Sequence, residues 1–241
     1  MKTYIISILI SFLAGLLVNG STYIFKNRKY IYFAIIASLF YRNKEIRVSI
    51  SYLFKMKVEE KYFLIKGHRI DQFQPVGGVF KFFPGFKCFK YSHEVIDDEG
   101  IPIDENSKND LRIRIKGKYL LKLMKWFLSR KNREVSVHRE FYEEIIKTEI
   151  LSYDSFIKFN PEYYKTETTK IHYSEHFTCN EVIIYEIYDV KLSKDEEKEI
   201  KKYIKDNPGE AILATQNDIK RECISIGSIS KKIGQHAKHI L

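Results

Sequence analysis

The chain has 241 residues, enough for one domain with a well-buried core or two small ones. Hydrophobic residues at 44% and charged residues at 30% exclude a disordered composition, and an aromatic share of 15% favours a β-rich fold. The formal net charge of +10 favours anionic partners such as nucleotides, nucleic acid or an acidic membrane leaflet, while three scattered cysteines offer no disulfide framework and no zinc spacing.

In chain order, residues 4–25 carry no charged side chain, and a run of that length spans a hydrocarbon core of about 30 Å as a helix. Tyr4 and Tyr23 stand where interfacial rings would lie. Gly20 and Thr22 make a poor cleavage site, which argues for an uncleaved anchor over a signal peptide. Lys26, Arg28 and Lys29 follow the run, so the positive-inside rule predicts single-pass placement in the inner membrane with the C-terminal part cytoplasmic. The expected divisions are an anchor at 1–29, a juxtamembrane helix or linker at 30–44, and a domain at 45–241. The second apolar run, 30–41, is short for a span and reads as a helix at the interface or docked on the domain.

Residues 46–58 predict a long strand, Glu59-Glu60 a turn, and 61–66 the returning strand. Gly77-Gly78 leads into a strand at 79–83, broken by Pro84-Gly85, with a further strand at 86–95 and an exposed loop at 97–109. Residues 111–115 alternate as a half-buried strand does. Leu120, Leu121, Met124 and Phe127 share one face of an amphipathic helix over 118–128, and a second helix is predicted from about 133 to 151. An apolar strand follows at 182–190, then a helix opened by Ser193 with Glu196 in a capping box, a short strand at 211–215, and a basic helix at the end. The whole reads as one α+β unit.

The segment His138-Arg139-Glu140-Phe141-Tyr142-Glu143-Glu144-Ile145 is the most informative. Glu140, Glu143 and Glu144 fall at i, i+3 and i+4, so a helix projects the three carboxylates from one face. Their repulsion calls for a cation, and a hard divalent ion such as Mg²⁺ takes oxygen ligands and holds diphosphates. Arg133, Arg139 and Lys147 are alternative partners on a solvated face. His172, His176 and Cys179 lack a fourth ligand nearby for zinc, and His236 and His239 fall in the basic terminus. A basic stretch from Lys118 to Arg133 containing Trp126 suits either a packed helix or an anionic surface.

The Arg-Glu-hydrophobic-x-Glu-Glu run resembles the signature of the NUDIX family, and Gln74-Pro75-Val76-Gly77-Gly78 resembles the element that opens the family's box. The box here is split: Gly78 and Arg139 stand 61 positions apart where the family pattern has 14, which implies an insertion at about 84–130. The position of the box's first glutamate holds Lys131, and its last glycine position holds Ile146. The resemblance implies a NUDIX-like α/β/α sandwich, preceded here by one transmembrane helix. It also implies Mg²⁺ on Glu140, Glu143 and Glu144, an ion pair by which Arg139 braces the helix, and nucleotide contacts from Gly77, Gly78, Phe80, Lys131 and Arg139.

An N-terminal membrane helix joined to a split NUDIX domain resembles the SMODS-associated NUDIX domain proteins, CD-NTase-associated effectors of CBASS antiphage systems. Phe73-Gln74-Pro75-Val76-Gly77-Gly78, Trp126-Phe127 and Arg133-Glu134 carry this narrower match together with the signature. It implies an effector that binds a cyclic di- or trinucleotide, assembles into a homo-oligomer, and kills the cell by membrane disruption through residues 4–25, with no nucleic-acid polymer as partner. The alternative is a membrane-tethered, Mg²⁺-dependent hydrolase of a nucleoside diphosphate derivative. The split box and Lys131 put turnover in doubt.

Overall fold

A computed structural model describes residues 33, 35–67, 70–98, 100, 107–227 and 229–241. In chain order the strands are β1 (Glu45–Val58), β2 (Lys61–Lys66), β3 (Phe73–Gln74), β4 (Gly77–Val79), β5 (Ile96–Asp97) and β6 (Arg112–Lys116). After these come β7 (Glu162–Thr168), β8 (His172–Ser174), β9 (Cys179–Val190), β10 (Ala211–Ala214), β11 (Cys223–Ile226) and β12 (Ile229–Lys232). The helices are α1 (Phe86–Ser92), α2 (Gly117–Leu128), α3 (His138–Phe141), α4 (Tyr153–Ile157), α5 (Lys194–Asp206) and α6 (Gln216–Arg221).

β1 organises the sheet. Along one edge it pairs antiparallel with β6, β4 and β2 in turn; along the other it runs parallel to β9 from Ile46↔Asn180 to Met56↔Val190. β2 carries β3 and β10, and β9 carries β7 and β8 on its far side. β1 is buried along most of its length although Arg47, Ser49, Ser51, Lys55 and Lys57 alternate with its apolar residues. Its even residues, Ile46 to Val58, enter one core with Leu120, Leu123 and Phe127 of α2 and Ile200 of α5. Leu53 enters a second core with Tyr185 and Ile187 of β9, Ile219 of α6 and Ile240 near the C-terminus. The result is a mixed α/β fold with helices on both faces of the sheet, consistent with a NUDIX-like domain.

Strands β1, β2, β6, β9 and β10 and helices α2 and α5 fall where the sequence predicts them, and Ser193 and Glu196 form the expected capping box. Other expectations need correction. Residues 86–95 form helix α1 rather than a strand: Phe86 and Phe89, three apart, stack on each other and meet Trp126, with Phe86 4.0 Å from the indole. The helix expected at 133–151 is shorter. Arg133 and Glu134 are extended, bridged to Phe82 and Lys81, and only 138–146 is helical, α3 passing into a π-helical turn at Tyr142–Ile146. The chain end forms the β11–β12 hairpin and a 3₁₀ turn at Gln235–Ile240 rather than a basic helix.

The expected membrane placement is also corrected. Among the described residues no helix is long and apolar enough to cross a membrane, so single-pass inner-membrane localisation is not supported. The run at 4–25 on which it rested lies outside the described residues. Residues 35–40 are helical and dock on the domain, with Ala37 buried. A Cβ at Gly117 would stand 2.6 Å from the Ala37 carbonyl oxygen and 2.3 Å from that of Tyr41, so the glycine opens the start of α2 to this segment.

Candidate functional site

Gly77 and Gly78 lie in β4, paired with Leu53 and Tyr52 of β1. A Cβ at Gly77 would come 2.2 Å from the Tyr52 carbonyl oxygen, and one at Gly78 would come 2.0 Å from Glu140 Oε1. The β1 backbone therefore requires glycine at position 77, while at 78 the absence of a side chain leaves room for the Glu140 carboxylate of the signature helix, which any side chain there would push aside. The approach at Gly78 closes the gap of 61 residues: the two halves of the split box meet through the Glu140 carboxylate.

Arg139 is the hub. Its Nε donates to Glu134 Oε1 at 2.9 Å, and its Nη1 donates to Glu140 Oε2 at 2.7 Å and to Glu143 Oε2 at 2.8 Å. Its Nη2 reaches Glu134 Oε2 at 3.1 Å and the Tyr52 hydroxyl and Val79 carbonyl at 3.3 Å. A guanidinium offers five N–H groups in a rigid fork, and here the whole fork is engaged. Burial opposes the Arg139 charge, but its bonds to Glu134 and the negative groups around it raise its pKa further.

Glu140 is buried, and burial pushes its carboxyl up to about 7 from an ordinary 4.5; Arg139 pulls the other way, while Glu144 and Glu143 add to the rise. Burial, with Glu140 and Glu134 nearby, likewise raises Tyr52. Glu143 is exposed and Glu144 half-buried. The π turn interposes one residue in the hydrogen-bond ladder, with Lys147 N donating to the Tyr142 carbonyl five residues back.

Two roles escaped the sequence reading, which quoted Glu134 only within the Arg133-Glu134 pair and did not single out Tyr52. Glu134 supplies both oxygens to Arg139 and accepts from Lys81 N at 3.2 Å. It stands five residues before Arg139, whereas the box places its first glutamate eight before, at Lys131; an acid near the vacant position was the available signal. Tyr52 is set by register, directly opposite Gly78.

Phe80, expected at the nucleotide, is wholly buried. Its ring centroid is 4.6 Å from that of Tyr52 and 5.5 Å from that of Phe127, so the core takes the ring and leaves no face for a base. Lys131 is exposed in the turn after α2, between Arg130 and Asn132, both in the left-handed region. That turn leads straight to Arg133, which is buried against Phe127 and bonded to Glu186 at 3.5 Å, with the Tyr188 hydroxyl donating to the same carboxylate.

The expected metal ligands were Glu140, Glu143 and Glu144. Among the described residues no group of three His, Cys, Asp or Glu side chains is arranged to hold a metal ion, the histidines and Cys179 included. Glu140 and Glu143 turn instead onto Arg139, so the arrangement as it stands does not fit Mg²⁺.

Near the start of β1 lies a second charged cluster. Arg47, 3% exposed, donates to Asp98 and to Glu181, each at 2.6 Å, and its guanidinium carbon lies 3.6 Å from the Phe177 ring centroid. Arg114 adds a bond to Asp98 at 3.1 Å. Burial alone would raise the Asp98 carboxyl, but Arg47 and Arg114 hold it below its ordinary value.

An α/β sheet flanked by helices, with a Gly-Gly strand pressed on an Arg-Glu-x-x-Glu-Glu helix, defines a NUDIX-like domain; α1, β5, β6 and α2 lie between those two elements in the chain, and β6 pairs with β1 in the central sheet. The family model of the SMODS-associated NUDIX domain matches residues 45–241, and the chain belongs to that family. No curated protein and no solved structure matches it. Membership suggests a CBASS-related effector, and NUDIX domains generally use divalent metals such as Mg²⁺.

Proposed function

We propose that the chain is a nucleotide-sensing effector of a CBASS antiphage system, and that it binds a cyclic di- or trinucleotide in the crevice beside Gly77 and Gly78. The observation that carries the reading is the seat of Glu140 against Gly78, which rebuilds the family's phosphate-facing element across the insertion. A net charge of +10 favours an anionic ligand. Binding is preferred to turnover on three grounds. The first-glutamate position holds Lys131, the carboxylates are spent on Arg139, and Glu140 takes a proton near neutral pH. In this reading exposed cations such as Lys131 meet the phosphates, and Arg139 exchanges part of its carboxylate shell for them.

The test is calorimetric titration of cyclic di- and trinucleotides into the full chain, with and without Mg²⁺. Saturable binding is expected, and Gly78→Val should abolish it with the circular dichroism spectrum unchanged, because the new side chain displaces Glu140. If none of these nucleotides binds, the reading fails. If the chain instead hydrolyses nucleoside diphosphate derivatives in Mg²⁺, and Glu143→Gln and Glu144→Gln each cost orders of magnitude in rate, the protein is an enzyme and the sensor reading is wrong.

A further inference from the structure

Strand β7 forms an outer edge of the sheet. Among the described residues it pairs with β9 alone, so its other side presents unpaired backbone donors and acceptors. Tyr163 on this strand is 54% exposed. Edge strands are commonly protected by lysines and bulges that repel a second strand, and β7 has both, in Lys165 and in the bulge at Tyr164.

The charges of β7 nevertheless match one partner, an inverted copy of the same strand. If two copies run antiparallel about a two-fold axis at Thr166, residue numbers on opposite strands sum to a constant. Lys165 of each copy then faces Glu167 of the other, twice over. Past the bulge, the same axis brings Glu162 within about one residue of Lys170. Lys165 and Glu167 thus meet their opposites in a second copy, beside the partners they hold in their own chain, the Leu241 carbonyl for Lys165 and His239 for Glu167. Within one chain Lys165 Nζ already lies 2.8 Å from Glu167, so both side chains stand on one side of the strand, where cross-strand partners also fall. Tyr163 donates or accepts a hydrogen bond of 2.7 Å with Thr166 and would cover the axis.

We infer that β7 is a homodimerisation edge, on which two chains join by antiparallel β7–β7 pairing centred on Thr166 to make one continuous sheet. The interface is isologous, the same patch serving on both sides, and main-chain hydrogen bonds supply affinity while the Lys165–Glu167 pairs fix the register. Neither the nucleotide site nor α3 takes part, so the dimer forms without ligand and stands or falls separately from the sensing role.

Sedimentation velocity of the full chain reads the association directly. The wild-type chain is expected to dimerise. Lys165→Glu and Glu167→Lys each set like charges opposite one another and should weaken the dimer about tenfold or more. The double swap, Lys165→Glu with Glu167→Lys, restores opposite signs and should recover the dimer to within about threefold, which also shows that the single variants had not merely unfolded. Thr166→Lys and Thr166→Glu should each be monomeric alone, because the axis sets each residue against itself, and should pair when mixed. A wild-type chain that stays monomeric overturns the inference. So does dimerisation that survives the single reversals, or a double swap that stays monomeric.

Discussion

Two arginines stand among carboxylates along β1, and they differ in surroundings. Near its start Arg47 and Arg114 face Asp98 and Glu181, two cations to two anions, with Arg47, Asp98 and Glu181 buried and the Arg114 side chain 25% exposed. Near its middle, beside Tyr52, Arg139 faces Glu134, Glu140 and Glu143. A buried cluster balanced in charge is a structural solution. Three carboxylates about one arginine, with one carboxyl raised towards neutrality chiefly by burial, are the kind of group that marks a functional site. Both clusters contact the same strand, so the contrast does not arise from different folds.

The contrast can be broken most forcefully at Arg47. Arg47→Ala strands Asp98 and Glu181 without their cation in a buried setting and should cost about 3–5 kcal/mol of stability in a urea titration. A loss below about 1 kcal/mol would mean that the cluster is wetter than described. Arg139→Ala should cost less, about 2 kcal/mol, because Glu143 can turn to solvent. It should also abolish any nucleotide binding, which Arg47→Ala at a permissive temperature should not.

The pH dependence sharpens the same difference. The Glu140 carboxyl is raised to about 7 in the folded chain from an ordinary 4.5, so the folded chain keeps a proton that the unfolded chain releases between those values. Stability from this group is complete below the lower value and is lost as pH rises through the upper one. Glu140→Gln, which cannot ionise, should therefore melt higher than wild type at pH 8 by about 1–2 kcal/mol, with the gap closing towards pH 4.5. Asp98 is lowered instead, so its contribution is lost only in acid, as pH falls below the ordinary carboxyl range. Melting curves from pH 3 to 8 would separate the two; a Glu140→Gln variant less stable at every pH would remove the distinction. Smallest of all, Tyr188→Phe removes one hydrogen bond to the buried Glu186 and should cost about 1 kcal/mol in the same assay.

Much of the sheet was legible because β1 alternates apolar and polar residues over a long stretch rich in Val, Ile, Tyr and Phe, because β9 carries an apolar run, and because Ser193 and Glu196 write a helix start in two residues. The spacing of Glu140 and Glu143 from Arg139 was legible for the same local reason. What failed depended on distant partners. Phe86 and Phe89 fit a strand or a helix by themselves, and Trp126 of α2 decides for a helix. Glu134 acts through a backbone N–H 53 positions away, at Lys81, which no local pattern records. Phe80 follows the two glycines as a stacking ring would, yet β4 turns it into the core between Tyr52 and Phe127. The ion pair by which Arg139 braces the helix was implied by the resemblance, whereas the bonds that hold its fork in position, to Tyr52, Val79 and Glu134, were not legible.

The parallel pairing of β1 with β9 has a consequence for biosynthesis. Arg47 meets Glu181 across 134 positions, so one edge of β1 waits, unpaired and apolar, while the intervening chain is made. At typical synthesis rates that interval is roughly 10 s, long enough for a nascent chain to need shielding from its neighbours. The benefit is a safeguard. A chain truncated before β9 cannot close its central sheet, so a prematurely terminated product is expected to be inert.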